Sequence, residues 1–227
     1  EEPLSCYVRQ MSKEDIDQVN EIAREAFPTQ WPPANYQSEL KNHMAHLTVV
    51  CDDEKPVEQQ PVEQAVNTAP EKSSGGLTAR LKRFFSRNNA PGSELSPSAG
   101  HYIVGVVASW IMADEAHITS IAVRGAYRRQ GIGETLIISA VEMAMESKAS
   151  ILTLEVRVSN TGAQALYSKY GFTQVGLRRA YYTDNREDAI IMSTDKITTA
   201  PFQTRFKQLK EAHSSRRAIS YKSTPMQ

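Results

Sequence analysis

AHITSIAVRGAYRRQGIGETLIISAVEMAM, residues 116 to 145, decides how the chain is read. Its first part is strand-like up to Val123, and GETLIISAVEMAM is a long apolar helix. A short basic turn carrying Gly131 and Gly133 joins the two. In such a strand-to-helix turn the free amides of the first helical turn point outward and the helix dipole adds partial positive charge. Glycine there lets a ligand approach the backbone closely. Arg124, Arg128 and Arg129 add full charges beside that nest, which suits a diphosphate better than a neutral ligand. A tight turn followed by good helix packing explains the glycines equally well. The stretch is neither the G-x-G-x-x-G dinucleotide fingerprint nor a Walker loop with its lysine and hydroxyl.

Outward from this centre the pattern is mixed α/β. Ser12 followed by Asp15 reads as a capping box, Met11 with Ile16 as a hydrophobic staple, and Ile16, Val19, Ala23 and Phe27 as a helical stripe. The loop PTQWPPANY and a shorter second helix follow. His43 and His46, spaced i, i+3 without a further clustered ligand, read as part of a surface helix rather than a metal site. Strands are expected at 46–51, 101–112 and 116–123, a helix at 132–147, a strand at 150–158 and a helix at 161–170. Two last strands fall near 172–179 and 188–194. A βαβ unit therefore sits at the centre of an α/β fold.

Composition bounds the rest. The 227 residues hold 40% hydrophobic content, enough for one domain, and 26 basic residues cancel 26 acidic ones, so nothing in the balance demands nucleic acid or membrane. No apolar run approaches the ~18 residues of a membrane span. The chain opens on Glu1 without a basic-then-apolar signal segment, and this start reads as processed or trimmed. Cys6 and Cys51 are too few for a disulfide framework, which points to a reducing, cytoplasmic compartment.

Residues 52–100 change character, with five prolines, the near-tandem PVEQQPVEQ, SSGG and GSELSPSAG. Such a segment buries too little apolar surface to offset its ordering entropy and reads as a disordered insert replacing a hairpin turn. Within it LTARLKRFFSR reads either as a conditional helix for an anionic partner or as a solvated linker. After Pro201 a basic tail sets six basic residues against Glu211. Phe202, Phe206 and Leu209 would share one side of a helix there, and the tail reads either as a weak ribosome or RNA contact or as simply solvated.

R-x-x-G-x-G at Arg128, Gly131 and Gly133, entered from a strand ending IAV, resembles the acyl-CoA pyrophosphate loop of the GNAT superfamily of N-acetyltransferases. LEVRVSNTGAQALYSKYGF (154–172) and RRAYYTDNREDAIIM (178–192) closely resemble the bacterial ribosomal-protein-alanine N-acetyltransferases. The resemblance spans 4–51 and 101–197, strong after 116 and thin before 51. It implies the GNAT fold, a mixed central sheet with flanking helices, carrying the insert in its β2-β3 hairpin. The domain is then 4–51 plus 101–197, with insert 52–100 and tail 198–227 outside the family pattern. The loop after Phe27, with its WPP, also departs from that pattern.

By resemblance the co-substrate is acetyl-CoA, no metal is needed, and the acceptor is a protein N-terminus, that of ribosomal protein bS18 or a similar one. Glu155 lies on the more polar side of the strand ILTLEVRV, where a surface glutamate would look the same; the resemblance makes it the general base. Tyr167 shares a helical side with Ala163, Leu166 and Tyr170 and reads as core. The resemblance, at twelve positions after the base, makes it the proton donor to the coenzyme's thiolate. Asn160 fits an N-cap, and the resemblance adds a contact to the pantetheine arm. Ile121, Ala122 and Val123 are core strand residues whose backbone the family uses to pair with that arm and place the acetyl carbonyl. The loop residues Arg128, Arg129, Gln130, Gly131, Ile132, Gly133 and Glu134 would hold the diphosphate, and Tyr181 and Tyr182 would touch the acceptor peptide. Two other readings stay open: acetylation of lysine or a small amine, and a non-catalytic acyl-CoA-binding module that tethers RNA or ribosomes.

Overall fold

The computed structural model describes residues 5–29, 34–56, 101–216 and 219–221; from residue 57 on the expected insert, and the helix read within it, lie outside the described residues. Along the chain come β1 (Cys6–Gln10), α1 (Ile16–Ala26), α2 (Tyr36–Glu39), β2 (Ala45–Pro56), β3 (His101–Met112) and β4 (Glu115–Val123). Then follow α3 (Ile132–Glu146), β5 (Ile151–Arg157), α4 (Thr161–Lys169), β6 (Phe172–Arg178), β7 (Ala189–Thr194), α5 (Ala200–Ser214) and β8 (Ile219–Tyr221). The strands form one mixed sheet in the order β6-β7-β5-β4-β3-β2-β1-β8, with β4-β5 and β1-β8 parallel and the other pairs antiparallel. β2 and β3 pair from Ala45↔Trp110 to Pro56↔His101, so the strands flanking the expected insert are hairpin partners.

Two apolar layers cover the sheet. Val19 and Ile22 of α1 and Tyr36 of α2 pack with Val49, Ile103 and Val106 on one side. Leu136, Ile137 and Val141 of α3, Tyr167 of α4 and Phe206 of α5 pack with Val107, Leu152 and Leu154 on the other. Burying such side chains supplies the main driving force, roughly 1.5–3 kcal/mol for each large one. The α1 terminus forms as expected: the Ser12 amide donates to Asp15 Oδ2 at 2.7 Å, and Arg9 forks onto the same carboxylate at 2.6 and 2.8 Å. Burial pushes this carboxyl up, but the Arg9 and Ser12 bonds outweigh it and hold it below the usual range.

Two expectations are corrected. No surface helix spans His43 and His46, because residues from Ala45 onward are recruited as β2 by pairing with β3; His46 is half-buried there, and burial lowers its ring's affinity for a proton. The C-terminal segment contains α5, whose Phe202, Phe206 and Leu209 pack against the core while Lys210 pairs with Glu142 of α3. Among the described residues no helix is long and apolar enough to cross a membrane.

Candidate functional site

The site begins where two central strands part. β4 and β5 pair over only four residues, Glu115–Ile118 with Ile151–Leu154. Beyond them Ser120–Val123 pair only with β3, and Glu155–Arg157 only with β7. A register shift against β3, between Ala108 and Ser109, coincides with the parting. A wedge thus opens in the sheet with backbone edges free of ladder partners on both walls. Ile121, Ala122 and Val123 form one wall. Glu155 is the first residue past the last pair on the other.

The turn after β4 runs through one 3-10 turn, Gly125–Tyr127, and then to Gly131, the residue before α3. Gly131 has φ +87°, the left-handed region that glycine enters without steric cost, and Arg129 has φ +64°. Gln130 Nε2 donates to Ala126 O at 2.8 Å and Arg128 Nε to Val123 O at 3.3 Å, tying the loop to itself. The amides of Ile132, Gly133 and Glu134 fall in the first helical turn, where no intrahelical acceptor exists. A Cβ placed on Gly133 would lie 3.5 Å from Leu166 Cδ2 of α4 and 4.0 Å from Val123 Cγ2, so loop, α4 and the end of β4 meet there.

One charge assigned to the nest faces elsewhere. Arg124 donates from Nε to Ile103 O at 2.7 Å and from its terminal nitrogen to Glu21 at 3.0 Å, with its guanidinium over the Tyr102 ring. It clamps β3 to α1, which leaves exposed Arg128 and Arg129 as the cations of the turn. The Glu134 carboxylate also turns inward, accepting from Lys169 and from the Tyr170 hydroxyl at 2.7 Å. His213 of α5 lies 3.5 Å away. Burial raises this carboxyl, but Lys169, Tyr170 and His213 together bring it below the ordinary range.

Glu155 occupies the polar side of β5, as its alternation predicts, while Leu152, Leu154 and Val156 are buried. Its side chain is only 9% exposed and is held from two sides: His117 Nε2 lies 3.2 Å from Oε2, and Arg178 Nε lies 3.0 Å from Oε1. Neither partner is in the sequence-read set. Both stand on the polar side of strands whose register only pairing reveals, although Glu115, His117 and Thr119 do alternate visibly with the apolar residues of β4.

Tyr167 is buried beside Phe172, ring centroids 5.9 Å apart, and burial, followed by the nearby Tyr182 hydroxyl, pushes its own hydroxyl well up. Asn160 caps α4, its Oδ1 accepting from the Ala163 amide at 3.2 Å. Tyr181 and Tyr182 lie in the β6-β7 loop with rings edge to face at 5.3 Å. The Arg157 guanidinium lies 3.8 Å from the Tyr182 ring centroid. Burial takes the Tyr182 hydroxyl up to about 12, and Glu155 is among the charges acting on it. Arg157 also binds Asp184 and Glu187, and Thr29 donates to Asp184 at 2.5 Å, joining the loop after α1 to the β6-β7 loop. The structure therefore gathers Glu155 and the Tyr182 loop at the wedge, and the glycine turn at its end. Among the described residues no three His, Cys, Asp or Glu side chains cluster to hold a metal ion.

The family model for the acetyltransferase (GNAT) family matches residues 70–172. A Bacillus subtilis protein, provisionally named a ribosomal protein bS18-alanine N-acetyltransferase, is 37% identical over 186 residues, 82% of this chain and 92% of its own length. The chain belongs to the GNAT family of acetyltransferases. The ribosomal protein bS18-alanine N-acetyltransferase of Escherichia coli K12 is 45% identical over 85 residues of this acetyltransferase, 37% of the present chain and 57% of the E. coli one. The crystal structure of the E. coli ribosomal-protein-S18-alanine N-acetyltransferase superposes with a TM-score of 0.57 at 22% identity, covering 86% of this chain and 96% of that one. That likeness establishes the GNAT fold. Members of the family draw their acetyl group from acetyl-CoA.

Proposed function

We propose that this acetyltransferase moves acetyl from acetyl-CoA to the N-terminal α-amine of a protein, that of ribosomal protein bS18 or another exposed N-terminus beginning with a small residue such as Ala. The observation that carries the reading is the placement of Glu155, a nearly buried carboxylate at the first position of β5 beyond its pairing with β4. The bacterial relative that shares 37% identity over most of both chains supports the same acceptor class.

In this reading the diphosphate of the coenzyme meets the amides of Ile132, Gly133 and Glu134, with Arg128 and Arg129 outside them. The pantetheine arm runs along the free edge at Ile121–Val123, and Asn160 contributes its side-chain amide from the cap of α4. The acceptor enters from the side of Tyr181 and Tyr182. Its amine attacks the thioester carbonyl, Glu155 takes the proton directly or through one water, and the Tyr167 hydroxyl donates to the departing thiolate. Burial keeps that hydroxyl protonated at every physiological pH, so it is ready as a donor and is not lost as a phenolate.

Proton chemistry favours an α-amine as acceptor. With a pKa near ~7.8 it is roughly 14% neutral at pH 7, against about 0.04% for a lysine amine near ~10.4. A single carboxylate then suffices for an acceptor already partly deprotonated. The test offers one lysine-containing peptide with a free or a formylated N-terminus and locates acetyl by fragment mass spectrometry. Labelling at the free N-terminus at least about tenfold over lysine is expected, and preferential lysine labelling of the free peptide would refute the assignment.

The cofactor loop has its own test. Gly131→Val would add backbone strain at φ +87° to any block of the ligand, so Gly133 is the cleaner position. A methyl group there meets only ordinary contacts, and Ala is roughly 1 kcal/mol better than Gly inside a helix. Gly133→Ala is expected to leave the melting temperature unchanged or higher while weakening acetyl-CoA several-fold by calorimetry. Unaltered affinity would move the diphosphate away from this turn.

A further inference from the structure

Glu134 is the third residue of α3, counted from Ile132, with Gly131 just before the helix. Helical side chains lean toward the N-terminus, and a glutamate at this position ordinarily folds back to accept from the amide before the helix, here that of Gly131. That habit is at odds with a diphosphate site. A carboxylate folded back would set a negative charge beside the amides of Ile132, Gly133 and Glu134, where it repels the ligand.

In this protein the carboxylate is drawn sideways instead. Lys169 Nζ and the Tyr170 hydroxyl both donate to Oε1, the latter at 2.7 Å, and His213 Nδ1 lies 3.5 Å from Oε2. The three holders stand on two other elements: Lys169 ends α4, Tyr170 follows it, and His213 is near the end of α5. Leu166 brings this side of α4 up to Gly133, and Lys169 and Tyr170 follow it at the i+3 and i+4 spacing that shares one helical side. His213 Nε2 also lies 2.9 Å from Thr135 Oγ1, and the Thr135 amide donates to Gly131 O at 3.0 Å, so the ring is joined to the turn itself. With Glu134 only 16% exposed in its side chain and answered by Lys169, the exposed Arg128 and Arg129 are left as the charges that the turn offers to solvent.

We propose that Lys169, helped by Tyr170 and His213, is a positioning residue for the coenzyme: it cancels the Glu134 charge and keeps that carboxylate off the amides that receive the diphosphate. The inference rests on the placement of the diphosphate at this turn. Lys169 and His213 act through Glu134 and touch no part of the ligand. The coenzyme site of this chain then includes α5, an element beyond the βαβ unit that forms the turn.

The experiment is a double-mutant cycle read as acetyl-CoA affinity by calorimetry on the full chain, with the fold of each variant checked by circular dichroism. Lys169→Met keeps the apolar stem and removes the charge, and is expected to weaken acetyl-CoA about tenfold. In a Glu134→Ala background, which has no carboxylate to restrain, the same change is expected to cost less than about twofold. His213→Gln, at the other oxygen, is expected to cost several-fold in the parent and to be equally silent in that background. An equal loss in both backgrounds means that Lys169 supports α3 by packing alone, and overturns the proposal. Parent affinity in both Lys169→Met and His213→Gln also overturns it. If Gly133→Ala still binds weakly in that case, the coenzyme stays at the turn and only the role of Lys169 and His213 falls. Unaltered affinity in Gly133→Ala takes the diphosphate away from the turn, and the proposal falls with it.

Discussion

Glu155→Gln is expected to lower kcat for peptide acetylation by about 100-fold or more while acetyl-CoA affinity stays within about twofold. Glutamine matches the carboxylate in shape and still fits between His117 and Arg178, but it cannot take a proton. The coenzyme's contacts in the proposed site are with the turn before α3 and the edge of β4, neither of which involves the Glu155 side chain. Loss of kcat alone therefore separates a base from a binding group. Tyr167→Phe acts on the other half of the reaction. It keeps the ring packed against Phe172 and removes only the hydroxyl, so a kcat loss of about tenfold or more with an unchanged melting temperature is expected. Parent-like turnover in both variants would make the two residues structural and favour a protein that binds an acyl-CoA without turning it over.

The sequence was most legible where periodicity and sterics act locally. β3, β4, α3, β5 and α4 fall within about two residues of their expected limits, because each is a long apolar run or a clean alternation bounded by a turn. β1 was not foreseen: CYVRQ is five residues long and its first three are buried, so it shows no alternation to read. β8 is three residues amid basic ones and owes its existence to pairing with Cys6–Val8. At the site, the glycine turn was readable because its backbone demands are local. The direction of Arg124 was not, since Ile103 and Glu21 lie far from it in sequence. The partners of Glu155 were hidden for the same reason. His117 comes from β4 on one side of β5 and Arg178 from β6 on the other, beyond β7, and only the order β6-β7-β5-β4 brings them to one carboxylate.

Phe206→Ala is expected to destabilise the enzyme by about 3 kcal/mol or more, lowering the melting temperature by roughly 10 °C, although Phe206 lies in a segment that composition marks as a basic tail. Among the basic residues of α5 the apolar stripe is only three side chains, Phe202, Phe206 and Leu209. Phe206 is 7% exposed, stacks 6.4 Å from Phe202 and meets the Tyr170 ring edge-on at 6.4 Å. Removing it loses the transfer energy of a phenyl ring and leaves a cavity between α5 and the end of α4. The loss reaches the cofactor turn as well. Two turns further along α5, His213 is 2% exposed, with Nε2 2.9 Å from Thr135 Oγ1 and Nδ1 3.5 Å from Glu134, both in the first turn of α3. Loosening α5 therefore frees the helix end that carries the proposed diphosphate amides, and acetyl-CoA should bind more weakly in Phe206→Ala even below its melting temperature. Lys207→Ala is the control: its side chain is 78% exposed and its pair with Glu211 is a surface one, for which a change within about 0.5 kcal/mol is expected. Equal melting temperatures for the two variants would mean that α5 is not held to the core as its buried phenylalanine and histidine require.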